Sequence, residues 1–229
     1  MTEQKHPGVF IEEIGRGPRP IEGVSTNTAA ILGEAERGSI APRLVTSFAE
    51  YVRWFGAEFA DTKFLPYAVR GFFDNGGRRA FICRLVGAAA ATAEATFGDF
   101  SVRAAGPGAW GSRVFARIDP GTARNADGSS KGFRLRLAYW RGQPGTDPFI
   151  AGAPGPPPDI IEDFDDLVSD EASPDFYGKR VNFVDRDKGD TNQGADLSVL
   201  AMLVRHTGVT PATRPADGAA LLTGGADDV

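Results

Sequence analysis

The side chains that most often carry chemistry are scarce in this chain. Its two histidines are His6 and His206. Neither has a Cys or His at metal-ligand spacing, and no G-x-S-x-G turn supplies a nucleophile for His206 to activate. The single cysteine, Cys83, sits inside the apolar run 80–86, where a thiol is expected to act as a small buried hydrophobe. One cysteine cannot close an intramolecular disulfide, which fits a reducing compartment. Asp185-Arg186-Asp187-Lys188-Gly189-Asp190 resembles part of a calcium loop. It lacks a third ligand before the glycine and a distal Glu, and Arg186 and Lys188 would oppose the ion, so a solvated turn is the better reading.

Two charged groupings remain. Glu162, Asp163, Asp165, Asp166, Asp170 and Glu171 could supply the paired carboxylates of a hydrolase, although runs of this kind are usually solvated faces. Arg70, Arg78 and Arg79 form a modest basic cluster that suits either an acidic partner or a solvated helix end. No Walker A sequence is present, and the glycines at 15–17 and 106–111 lack the strand–turn–helix context of a phosphate loop. The expected catalytic, cofactor and metal residues are therefore none, and the expectation is a chain that is not an enzyme.

Val9-Phe10-Ile11-Glu12-Glu13-Ile14 is a short β-prone segment, followed by a Gly/Pro tether whose hinge positions are Gly15, Gly17, Pro18 and Pro20. A strand isolated by such a tether must find a sheet edge elsewhere, on its own chain or another. Residues 26–32 read as a buried strand. Ser47 and Glu50 form a capping box ahead of Phe48, Tyr51, Val52 and Phe55 at helical spacing, and Gly56 suits the helix end. A second helix opens near Pro66 and stops at Asn75-Gly76-Gly77, and residues 80–86 are a strongly apolar strand.

Period-two alternation then takes over, clearest in Phe133, Leu135, Leu137 and Tyr139, and predicts an all-β unit. The acidic stretch 160–177 reads as a short helix around Phe164 and Leu167, residues 180–185 as a strand, and residues 197–204 as a strand or buried helical turn. The expected fold class is α+β: a mixed α/β layer with an extended N-terminal arm and an inserted small β-sandwich. The expected organisation is an arm and linker at 1–22, an α/β core layer at 23–88, a sandwich-like domain at 89–150 and an acidic connecting segment at 151–229.

Composition narrows the function classes. In 229 residues, 41% are hydrophobic and 24% charged, ordinary for a folded domain. The net charge of −5, concentrated in the second half, argues against a nucleic-acid partner. The polar start MTEQKHPG shows no signal-peptide core, and no apolar run is long enough to insert in a membrane.

Several stretches in order carry a family resemblance. They are Pro7-Gly8-Val9-Phe10-Ile11-Glu12-Glu13, Gly17-Pro18-Arg19-Pro20-Ile21-Glu22-Gly23-Val24-Ser25-Thr26, Arg37-Gly38, Leu44-Val45-Thr46-Ser47-Phe48, and residues 65–80 from Leu65-Pro66-Tyr67 to Gly76-Gly77-Arg78-Arg79-Ala80. With Val102-Arg103-Ala104, Pro107-Gly108-Ala109-Trp110-Gly111 and Phe164-Asp165-Asp166-Leu167, they resemble the N-terminal half of contractile tail sheath proteins of phages and related injection particles. The order is specific over residues 7–111 and thins to islands beyond about 115.

The resemblance implies a structural subunit whose terminal arm adds a strand to a neighbour, building hexameric rings stacked helically around a tail tube. Its implied partners are itself, the tail tube protein and the baseplate. Its implied location is the virion tail or an injection particle, assembled in the bacterial cytoplasm. Leu222-Thr223-Gly224-Gly225-Ala226-Asp227-Asp228 is similar to the lead into that family's subtilisin-like domain, which is expected downstream. Two alternatives stand beside this reading: a carbohydrate- or partner-binding β module displaying Trp110 and Trp140, and a hydrolase using the acidic cluster.

Overall fold

The computed structural model describes residues 27–57, 60–181, 198–206 and 214–228. Among them the fold is α+β, as expected. The first strands form a parallel pair. Strand β1 (Thr28–Gly33) lies beside β3 (Arg79–Arg84), with Thr28 opposite Arg79 and Leu32 opposite Cys83. Parallel strands need a long crossover, and here it holds β2 (Arg43–Val45), α1 (Phe48–Phe55) and α2 (Leu65–Asp74). β2 returns antiparallel to β3, giving the sheet order β1-β3-β2.

Local chemistry explains both helices. At the start of α1 the Glu50 amide donates to Ser47 Oγ at 3.1 Å, while the Glu50 carboxylate accepts from the Thr46 amide at 2.8 Å. The expected capping box thus reaches one residue further back than its usual form. Gly56 ends α1 at φ 86°, the left-handed region that glycine enters freely. Pro66 lies in the first turn of α2, where its missing N–H costs nothing, and the Asn75 side-chain amide donates to the Gly71 carbonyl at the other end. Tyr51, Phe55, Leu65 and Val69 bury the inner face of the helices against Val45, Ala80 and Ile82.

The rest of the described chain is β. β4 (Glu94–Phe97), β5 (Phe100–Ala104) and β9 (Ala201–Arg205) make one antiparallel sheet. β6 (Val114–Pro120), β7 (Phe133–Tyr139), β8 (Ile160–Leu167) and β10 (Gly218–Leu221) make another, in the order β10-β6-β7-β8. Phe100, Val102 and Leu203 from the first sheet share one core with Ile118, Leu135 and Leu137 from the second. The stretch 151–229, read as a connecting segment, thus also supplies β8, β9 and β10. The outer face of the four-stranded sheet is covered too: Phe115, Ala138 and Trp140 pack against Phe149 of the Gly/Pro-rich loop.

The acidic stretch departs from expectation. Residues 160–167 form a strand, not a helix. β8 pairs Leu135 with Phe164 but Phe133 with Leu167, so Asp165 and Asp166 together oppose the single residue Arg134. That is a β-bulge, and Asp166 adopts φ 56° within it. The extra residue returns Leu167 to the face of Phe164, so a bulged strand imitates the i, i+3 spacing of a helix. α3 (Tyr177–Arg180) ends on Arg180, the first residue of the stretch 180–185 expected as a strand, of which 182–185 lie outside the described residues.

Candidate functional site

The arm residues Val9, Phe10, Ile11, Glu12, Glu13 and Ile14, and the hinge Gly15, Gly17, Pro18 and Pro20, lie outside the described residues, as do His6 and the calcium-like stretch 185–190. The sheet β1-β3-β2 is covered by helices on one side only. Its other side carries Thr28, Ala30 and Leu32 from β1, Arg79, Phe81 and Cys83 from β3, and Leu44 from β2, with Phe81 directly between Ala30 and Leu44. Leu32 is 61% exposed, Phe81 41% and Leu44 39%, and Leu85 follows at 51% just beyond β3. All-parallel sheets are normally buried on both faces, whereas this mixed sheet, with β2 antiparallel to β3, is covered on one. These side chains make a contiguous exposed apolar face. β1 is also an edge strand, so one side of its backbone has no strand partner among the described residues.

Cys83 lies on this open face and is half-exposed, which corrects the expectation of a buried thiol. The apolar run 80–86 hides the reason. Ala80 and Ile82 point to the helices, whereas Phe81 and Cys83 point away, so a strand apolar on both faces is buried on only one.

A set of buried arginines holds this sheet on the sandwich. Arg84, at the end of β3, donates from Nε to the Ala35 carbonyl at 3.2 Å and from Nη1 to the carbonyls of Gly38 and Pro107 at 3.0 and 2.7 Å. Arg37 donates to the carbonyls of Arg53 and Val52 at 2.8 and 3.0 Å; the Val52 carbonyl also accepts the Gly56 amide, so the guanidinium supplements the cap in the last turn of α1. Burial pushes both guanidinium pKa values down, opposed in part by Glu36 for Arg37 and by Asp227 for Arg84. Glu36 is itself buried. Its Oε1 accepts from the Tyr139 hydroxyl at 2.9 Å and from Arg141 Nε at 3.2 Å, tying the loop after β1 to β7. Burial, with the Glu36 charge added, pushes the Tyr139 phenol up. Sequence reading singled out Arg37 and Tyr139, neither of them for these contacts, and it missed Glu36, Arg84 and Arg141.

The acidic cluster does not assemble as paired catalytic carboxylates. Asp163 and Asp165 share Arg134, with Arg134 to Asp163 at 2.5 Å and to Asp165 at 3.8 Å. Burial works to raise Asp165, but hydrogen bonds from Thr122 hold it below the usual carboxylate range. Asp166 accepts from the Ala123 amide at 2.8 Å. Glu171 pairs with Arg205, and Asp170 accepts from the Ala172 amide. Glu162 points to the opposite side of β8 from Asp163 and differs from its neighbours. Burial pushes its pKa up, while the Ser198 hydroxyl and the Val199 amide, the latter at 2.8 Å, partly compensate. It borders a cavity of about 480 Å³ with Arg37, Arg53, Tyr139, Arg141 and Asp159.

His206 Nε2 lies 2.8 Å from Ser101 Oγ, a contact made by the pairing of β5 with β9 and not visible in the sequence. Ser101 is buried, and neither residue borders the cavity beside Glu162. Arg70 lies over the Phe48 ring at 4.5 Å, and the amides of Arg78 and Arg79 both donate to the Asn27 carbonyl at the head of β1. Trp110 and Trp140 are each 2% exposed, with indole N–H groups on the Pro107 and Pro156 carbonyls. Among the described residues no helix is long and apolar enough to cross a membrane, and no group of three or more His, Cys, Asp or Glu is placed to hold a metal ion.

No family model matches the chain. No curated protein matches it either. Among solved structures it is similar to a sheath tail protein from Listeria innocua, with a TM-score of 0.43 and 15% identity over 88% of this chain and 34% of that one. It is also similar to a sheath tail protein from Desulfitobacterium hafniense, with a TM-score of 0.40 and 13% identity over 97% of this chain and 40% of that one. The chain thus spans between a third and two fifths of the length of these two proteins.

Proposed function

We propose that this chain is a structural subunit of a contractile tail sheath, built to associate with copies of itself and not to turn over a substrate. In this reading residues 9–14 add a strand to a neighbouring subunit, and repetition of that contact forms hexameric rings stacked around a tail tube. The tube protein and the baseplate are the further partners, and the location is a virion tail or injection particle. The observation that carries the reading is the one-sided sheet β1-β3-β2, which leaves Leu32, Leu44 and Phe81 exposed beside an edge of β1 that has no strand partner among the described residues. The ordered motifs over residues 7–111 support it. The hydrolase alternative draws little support from carboxylates engaged with arginines and backbone amides. The β-module alternative loses the exposed tryptophans it requires.

The physics is β-augmentation: main-chain hydrogen bonds supply contact and alternate side chains supply register. Each such bond nets only about 0.5–1.5 kcal/mol, so one arm is weak. Tethered arms closing a ring act at high effective concentration and reinforce one another. Deleting residues 1–20 is expected to leave the body folded by circular dichroism and to abolish assembly in negative-stain images and sedimentation velocity. Rings or tubes formed without the arm, or a full-length chain that stays monomeric at every concentration, would overturn the reading.

A further inference from the structure

We infer that the outer face of α2 receives a second copy of this chain, whose own α2 packs antiparallel on it with Tyr67 of each copy over Gly71 of the other. The face is a stripe at helical spacing. Phe64 precedes the helix with helical backbone angles, and its carbonyl accepts the Ala68 amide at 3.0 Å. It therefore continues the line of Tyr67, Ala68 and Gly71. Phe64 is 72% exposed, more than any other large hydrophobic side chain among the described residues, and Tyr67 is 46% exposed. Neither joins the core that Leu65 and Val69 enter from the opposite face.

Gly71 sits in the interior of this helix, where glycine is the least favourable residue after proline. Nothing in its own chain calls for it. A Cβ built there meets no atom within 4 Å, and the backbone is not in the left-handed region. Neither tight packing within the chain nor a turn therefore explains the missing side chain. Its absence leaves a shallow hole in the outer face, one turn from the exposed Tyr67 ring. Bare backbone at a crossing lets two axes approach the lower end of the roughly 8–10 Å range of packed helices.

A knob and a hole on one face favour a second copy over an unrelated partner. In a twofold contact each surface meets itself, so a face holding both completes itself when the helices run antiparallel. With Tyr67 over Gly71, Phe64 of each copy falls over Asp74 of the other and the turn after it, where Gly76 also has open space around it. Charge agrees. Lys63, which pairs with Glu34 on its own chain, stands just before the stripe, and Asp74 ends it. Antiparallel helices bring these opposite charges together, whereas parallel helices align like ones. Opposed helix dipoles favour the same orientation. A twofold contact closes at two copies, so it makes a pair and leaves ring growth to other surfaces.

The test is sedimentation velocity of the full-length chain across a dilution series, where a reversible dimer is expected below the concentration that gives rings. Gly71→Tyr fills the hole and Tyr67→Gly removes the knob. Each should raise the dissociation constant about tenfold or more, and the double variant, which exchanges the two, should restore pairing. Gly71→Ala adds a readout that a damaged fold cannot imitate. Its methyl meets nothing in its own chain, and alanine suits a helix interior, so the Tm of the dilute monomer should rise while pairing weakens. A chain that is monomeric at every soluble concentration, or a dimer indifferent to both Gly71→Tyr and Tyr67→Gly, overturns the α2 contact and leaves the stripe to an unrelated partner. The arm reading is tested separately, since deletion of residues 1–20 should abolish rings and keep the pair. Rings formed by a chain that never pairs sink only the α2 contact. A pair that persists in a full-length chain forming no rings sinks only the arm reading.

Discussion

Glu162 shows how far a residue's environment can set it apart from its sequence neighbours. In a run of acids it is the one whose pKa burial pushes up. The folded state therefore holds its proton more tightly than the unfolded chain does. Its stabilising contribution is complete below the ordinary carboxylate value, near 4.5, and is lost as pH rises through the elevated folded value. Glu162→Gln keeps an acceptor for the Val199 amide and removes the charge. Its Tm relative to wild type should climb as pH rises above that ordinary value, and level off once the folded-state pKa is passed. Thermal melts across that range check the sign. Gly56→Ala tests a steric demand: at φ 86° a Cβ is strained and would overlap the Glu36 carboxylate. A loss of about 2–3 kcal/mol in urea unfolding is expected, combining backbone strain with displacement of a buried ion. Sequence reading saw the capping role of Gly56 but not Glu36 beneath it, because the two meet only through the turn that brings the loop after β1 under the end of α1.

The elements themselves were largely legible. Ser47, Pro66 and Asn75-Gly76-Gly77 act through neighbours no more than five residues away, so their helix limits could be read locally. Ser47→Ala should cost about 1 kcal/mol, visible as a fall of a few degrees in Tm with no change in assembly. The alternation from Phe133 to Tyr139 likewise survives as β7. What could not be read was any feature fixed by a distant partner. The helix expected at 160–177 becomes a strand because β7 offers hydrogen bonds along its whole length and a bulge lets Leu167 reach the core. Which side of β3 is covered depends on where α1 and α2 pack, and alternation cannot show that when both faces are apolar. Arg84 is the sharpest case. One side chain supports three carbonyls on loops 23 to 49 residues away. Arg84→Met should cost about 3 kcal/mol by leaving buried acceptors unmet, measured by chemical denaturation. Arg84→Lys should recover only part, since an ammonium cannot match the spread of the guanidinium fork.

At the scale of the whole molecule, a one-sided sheet is held firmly on a sandwich whose own faces are largely covered. The open face should therefore respond to association as a unit. Cys83, the single cysteine, reports on it directly. Its reaction with a thiol reagent should slow at least tenfold on assembly and remain fast in the chain lacking residues 1–20. The sandwich has a further consequence, for synthesis on the ribosome. β5 and β6 find partners in β9 and β10, strands encoded about a hundred residues later. At roughly 5–20 residues per second, those two strands wait about 5–20 s for their partners to emerge. During that interval nascent chains expose hydrophobic edges, so crowded polysomes translating this message should depend on chaperone capture more than the compact product would suggest.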